Sequence, residues 1–237
     1  MKKLALILPA IAVLMVVYQT AYPSVTVRYR LTLETELNGH PRTGSGVIQV
    51  VYRTNVQILG ASAQISMEAL GDAVSVDLGP KDALFALLSR GQHPRSAPED
   101  VIPVLFGVTE AGFGPEAFAR IAKVEGQRDV PFELLPPMAR LSNTSDPKSA
   151  ELFVPPRGQA PNQDLILKRA IIEIVPSGIW PFNLIGITGV PITRGIKQKL
   201  PWLGTQADVL MFWQALYDSG FRPGASIEPL TLLTRGS

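Results

Sequence analysis

The chain has 237 residues, enough for one domain with a sizeable core, and its 46% apolar and 18% charged residues exclude disorder of the chain as a whole. It has no cysteine and two histidines, His40 and His93, so no disulfide, thiolate zinc site, iron–sulfur cluster, c-type haem attachment or cysteine nucleophile exists within it. The net charge of +2 carries no nucleic-acid signal, and once Lys2 and Lys3 are set aside the basic and acidic residues balance at twenty each.

Those two lysines precede an uncharged apolar run from Leu4 to Val17, followed by Tyr18 and Tyr22 where an interfacial aromatic belt would fall. As a helix, Leu4 to Tyr22 measures about 28 Å, close to the thickness of a bilayer core. Cleavage after Ala21 would put Gln19 at the −3 position, a poor signal-peptidase site. An uncleaved anchor over residues 1–22 is therefore favoured over a cleaved signal. The short N-terminal tail with its two lysines is expected to stay cytoplasmic, leaving residues 23–237 outside as a single domain. The missing cysteines agree with an oxidising compartment.

Residues 25–37 alternate, with Val25, Val27, Tyr29, Leu31, Leu33 and Leu37 on one face and Thr26, Arg28, Arg30, Thr32, Glu34 and Glu36 on the other. Residues 46–58 repeat the pattern: Ile48, Val50, Tyr52, Val56 and Ile58 face inward, and Gln49, Arg53, Asn55 and Gln57 outward. With turn residues throughout 38–45, this predicts a long hairpin whose strands reach roughly 43 Å. Alternation over 61–69 and 73–78 extends it to a meander of about four strands. A short helix closed by Gly91 is expected over Lys81 to Arg90, a polar loop over 92–100, and an edge strand interrupted by Pro103 over Val101 to Phe106.

Pro115 to Glu125 reads as a helix, with proline in its first turn, Phe118, Ile121 and Ala122 as its stripe, and Gly126 at its end. Seven prolines between 131 and 161 predict an irregular wrap or crossover over 127–163. Leu165 to Val175 is apolar on both faces and is placed centrally in the sheet. Thr205 to Ser219 is the strongest helix after the anchor, with Val209, Phe212, Trp213 and Leu216 inward and Gly220 closing it. The tail from Pro223 is expected to be loosely held.

Several motifs invite chemistry. Asp218-Ser219-Gly220 matches the aspartic-protease triplet, but a single copy needs a second chain, and a helix C-terminus explains it better. Gly44-Ser45-Gly46 lacks the nucleophile-elbow context, and His40 beside it in the hairpin needs no catalytic explanation. His40 and His93 lack a second ligand at metal spacing, and Asp72, Asp77 and Asp82 do not follow a calcium-loop pattern. Asn143-Thr144-Ser145 has the form of a glycosylation acceptor, with meaning only on a eukaryotic secretory route. No catalytic, cofactor or metal residues are assigned. Trp180, Phe182 and Trp202, set among glycines and prolines, are the candidate interaction surface, with the capping of a sheet core as the alternative.

Four segments recur in a recognisable order: Asp146-Pro147-Lys148-Ser149, Leu167-Lys168-Arg169-Ala170-Ile171-Ile172-Glu173-Ile174, Pro191-Ile192-Thr193-Arg194-Gly195-Ile196, and Leu200-Pro201-Trp202-Leu203. Together with Tyr29-Arg30-Leu31-Thr32-Leu33, the series resembles a family of uncharacterised proteobacterial proteins with an N-terminal membrane segment. The resemblance implies a bacterial envelope setting and no activity. The expectation is an α+β protein: an N-terminal transmembrane helix, single-pass in the inner membrane through residues 4–22, then a mainly antiparallel β-sheet domain with a few short helices in the periplasm. Its expected role is non-catalytic binding or assembly with an envelope protein, without nucleic acid or cofactor. The alternatives are secretion after signal cleavage, a hydrolase with an Asp/Ser-based site, and a lipid or small-ligand carrier.

Overall fold

A computed structural model describes residues 24–54, 65–91, 93–108, 115–155, 164–179, 188–222 and 228–236. The expected membrane segment, the strand residues 55–58 and 61–64, Trp180 and Phe182 lie outside them. Among the described residues no helix is long and apolar enough to cross a membrane. The fold is α+β and mainly antiparallel, with two sheets and short helices.

The first sheet begins with β1 (Ser24–Leu37) and β2 (His40–Thr54), paired from Leu37↔His40 out to Ser24↔Arg53. The connection is tighter than the eight-residue turn expected. Asn38 (φ 50°) and Gly39 (φ 82°) both occupy the left-handed region, so two residues close the hairpin and His40–Ser45 continue as strand. The polar residues there mark exposure, not irregular backbone. β3 (Ile65–Asp72) flanks β2, and β9 (Leu165–Val175) flanks β1. With the short β6 (Gln127–Asp129) and β10 (Thr234–Arg235), the order is β10-β3-β2-β1-β9-β6. β9 is thus an interior strand, one place from the edge, with Lys168 and Arg169 exposed.

The inward residues Val27, Tyr29, Leu31, Leu33, Ile48, Val50 and Tyr52 are all buried as the alternation predicts. The opposite face departs from prediction, because Arg28 and Gln49 are buried too. The segment 188–196 lies across it. Arg28 donates to Gln49 Oε1 (2.8 Å) and to the Val190 carbonyl (2.7 Å), and Val47 N donates to Thr193 Oγ1 (2.7 Å). Burial pushes the Arg28 pKa down, and its hydrogen bonds offset that cost.

The second sheet is β4 (Val74–Asp77), β5 (Ala83–Ala86), β7 (Met138–Leu141) and β8 (Ala150–Phe153), in that order. β4 therefore opens a new sheet and does not extend the meander. It crosses β2 at Gly44, where a Cβ would collide with the Ser75 carbonyl. β5 replaces the helix expected near Leu84: Ala83–Ser89 are all buried, and a short apolar run has no period to separate strand from helix. The proline-rich stretch likewise holds β6, β7 and β8, each only three or four residues long.

Val101–Leu105, expected as an edge strand, is the helix α1. Pro103 is tolerated there because amides of a first helical turn lack intrahelical partners. α2 (Pro115–Ile121) follows prediction, with Phe118 and Ile121 buried and Gly126 at φ 83°, although Ala122 is exposed. α3 (Ile196–Lys199) is a single turn, and α4 (Gln206–Asp218) buries Val209, Phe212 and Leu216. The tail is not loose. Leu232 and Leu233 are fully buried and β10 pairs with β3. One continuous core joins both sheets, α2 and α4.

Candidate interaction site

The chemically suggestive motifs are dispersed by the fold. His40 is exposed on β2, and His93 accepts from Arg95 N in a surface turn. Asp218 accepts from Gln214 Nε2, and Gly220 (φ 104°) ends α4 in the left-handed conformation. Asn143 Oδ1 accepts from Ser145 N and folds that triplet into a tight turn. No group of three or more His, Asp or Glu side chains suited to a metal occurs among the described residues.

Trp202 is 6% exposed and does not present its ring to a partner. It packs on Phe212 (5.3 Å between centroids) and donates Nε1–H to the Thr144 carbonyl (2.9 Å). It takes the alternative role, capping one end of the core.

Three polar clusters remain. Lys199 Nζ lies 2.9 Å from Ser75 Oγ, the distance of a nucleophile–base pair, but it also pairs with Asp77 at 2.8 Å and is 42% exposed. The contact is an exposed ion-paired cluster on the surface and lies in neither depression described below. Asp72, 3% exposed, accepts from Thr234 Oγ1 (2.7 Å) and Ile196 N (3.0 Å), fastening tail and α3 to the end of β3. Below the 93–100 turn, Tyr52 donates to the Glu99 carbonyl (3.0 Å), and Arg235 bridges Glu99 and the Leu88 carbonyl. Burial pushes Tyr29, Tyr52 and Asp100 all upward. Each cluster holds elements together.

The surface that does open is the seam between β8 and α4. β8 is the edge of the second sheet, and Leu152 N, turned away from β7, donates to Ser219 Oγ (2.9 Å) at the end of α4. Ser219 in turn donates to the Leu216 carbonyl (2.9 Å). A depression lies on either side of this bridge. One, about 520 Å³, lies between Lys148 and Glu151 on one bank and Met211 and Asp218 on the other. The second, about 240 Å³, has an apolar floor that includes Phe132, Leu152, Phe153 and Phe221. Among the described residues its charged lining is Arg90 and Arg222, with no acidic side chain. Arg222 stacks on Tyr217 (3.9 Å to the ring centroid) and donates to the Tyr217 and Phe221 carbonyls, at the negative end of the α4 dipole. Arg90 lies 3.8 Å from Asp100, with its side chain 56% exposed.

Two exposed apolar side chains line these depressions, Val154 the smaller and Met211 the larger. Of the six large exposed ones among the described residues, Val154, Leu210, Met211 and Tyr217 belong to α4 and the end of β8. The sequence carried a usable signal: α4 has apolar residues at 210, 211 and 217, outside the inward stripe at 209, 212 and 216. Comparison of the chain with protein-family models, with curated proteins and with solved structures found no match.

Proposed function

We propose that this chain is a membrane-anchored bacterial envelope protein with a non-catalytic binding or assembly role, and that its protein partner docks on the seam between β8 and α4. Residues 4–22 serve as the single-pass inner-membrane anchor, with Lys2 and Lys3 on the cytoplasmic side and the body in the periplasm. The anchor rests on the uncharged apolar run at Leu4–Val17, and the setting on the family resemblance. The observation that carries the binding role is the pair of depressions flanking the end of an edge strand, each lined by an exposed apolar side chain, Val154 in the smaller and Met211 in the larger. An exposed apolar lining beside an incompletely covered sheet edge marks an interaction face.

The test uses the full chain in membranes of its own host, with a photo-crosslinking amino acid at Val154, Met211 or Tyr217 and, as the reference, at Arg169 on the exposed face of β9. Adducts to one protein from the seam positions, abolished by Tyr217→Arg in a second copy of the experiment, are the expected result. Adducts from Arg169 alone would move the interface elsewhere. Turnover of ester, peptide or glycoside substrates by the purified full chain would replace the binding role with a catalytic one.

A further inference from the structure

We infer that the smaller depression takes an extended, carboxylate-bearing segment of the partner, seated where the strand edge emerges from under α4 at Val154, with its acid groups on Arg90 and Arg222; this rests on the seam being the docking face. Two independent observations choose the occupant. The first is charge. Among the described residues, two guanidinium groups line an otherwise apolar groove with no acidic residue, and no ion pair of Arg222 occurs. The Arg222 Nη1 donates to main-chain carbonyls, and among the described residues the ion pair of Arg90 is with Asp100 at the long distance of 3.8 Å. A planar guanidinium with donors to spare suits a carboxylate, which accepts two parallel hydrogen bonds from it.

The second observation is the strand edge. Leu152 N points away from β7 and is met by Ser219 Oγ, so strand alternation puts the next outward-facing amide at Val154, whose side chain is half exposed. Pro155 then closes the edge, having no amide to offer. An added strand satisfies such an edge, with main-chain bonds giving affinity and the flanking groups giving specificity. A lipid tail would use the floor without the amide or the arginines, and a free anion would leave the apolar floor unfilled.

Titration calorimetry on the full chain in detergent separates these terms. The probes are two short peptides alternating valine and serine, one ending in glutamate at both ends and the other in glutamine. The glutamate peptide is expected to bind about five- to tenfold tighter, the scale of two exposed ion pairs, and to lose that margin in high salt. Arg90→Gln and Arg222→Gln should each remove about two- to threefold of it. Val154→Pro should weaken both peptides alike. Melting curves establish that each variant is folded. Equal affinity for the two peptides, or indifference to both arginine substitutions, overturns the acid preference while the seam crosslinks stand. Indifference to Val154→Pro overturns strand addition. Binding to neither peptide, with binding to phosphatidylglycerol vesicles instead, overturns the peptide as occupant.

Discussion

The first sheet rests on strands of 14, 15 and 11 residues, whereas the second is assembled from four strands of four residues each. The long strands bring their own instructions. β1 and β2 alternate, are adjacent in sequence, and are joined by a two-residue turn, so their pairing is local and their register is set by the turn. The short strands have none of this. β5 and β7 pair although the whole stretch 87–137 separates them, and β5 is buried on both faces. Such a sheet forms only as its core closes around it. The proposed docking seam is built on this second sheet, at its edge, where α4 covers part of β8 and leaves the rest open.

Substituting one buried residue in each sheet would break or sharpen that contrast, and this is the largest effect expected. Phe85 in β5 and Leu33 in β1 are both fully buried. Phe85→Ala should cost about 3–5 kcal/mol and Leu33→Ala about 2–5 kcal/mol, read from urea titrations. The distinguishing measurement is native-state hydrogen exchange. If the second sheet depends on the core for its existence, Phe85→Ala should speed exchange in β4, β5, β7, β8 and α4 before β1 and β2 respond. Equal acceleration throughout would show a single cooperative unit and dissolve the distinction between the sheets.

The same contrast explains what could be read in advance. β1, β2, β9, α2 and α4 were legible because each is long enough for its apolar residues to repeat. β5, β7 and β8 were not, because four residues, all apolar in β5 and with a single charged residue in β7 (Arg140) and β8 (Glu151), are too few to show a period and fit a strand or a turn of helix equally well. Pro103 misled in the opposite direction, as a strand-edge signal where it sits in a first helical turn. For the site, aromatic identity can be judged at Trp202 alone, since Trp180 and Phe182 lie outside the described residues. Trp202 is buried under its own hydrogen bond to Thr144, while the less conspicuous Leu210, Met211 and Tyr217 are exposed. Arg90 and Arg222 lie far apart in sequence and meet at one groove only after the fold is complete.

A second, smaller test concerns the junction itself. Asp72 is the last residue of β3, immediately before the chain passes into the second sheet, and it holds Thr234 and Ile196 N by buried hydrogen bonds. Asp72→Ala should cost about 1–3 kcal/mol for each buried donor left unmatched. Asp72→Asn, which keeps one acceptor oxygen, should cost less. The loss should appear first as faster exchange at Leu232–Arg235, the segment that Asp72 holds through Thr234. Unchanged protection of that tail would mean that its other ties, the burial of Leu232 and Leu233 and the Arg235 and Arg194 hydrogen bonds, hold it in place.

The smallest effect expected is electrostatic and also spans the two sheets. Arg140 on β7 donates to Asp82, just before β5, and to Asp164, just before β9. Asp164 also accepts from Asn38 N through its own carbonyl, so the ion pair ties the hairpin end of the first sheet to an interior strand of the second. The Arg140 hydrogen bond holds the Asp164 carboxyl below its ordinary value of 3.8 and contributes to raising the Arg140 pKa. A carboxyl depressed on folding stabilises the native state above its unfolded pKa and loses that contribution as pH falls through its lower folded value. The stability of the protein should therefore decline below about pH 4 by an amount that includes this pair. Asp164 is 52% exposed, so solvent and salt screening limit the contribution to at most about 1 kcal/mol. Asp164→Asn should flatten the acid limb of a stability–pH curve by that amount and leave the plateau above it slightly lower, with both differences shrinking in high salt. An identical acid limb in the variant would show that the pair contributes nothing measurable and that the sheets are joined by their apolar core alone.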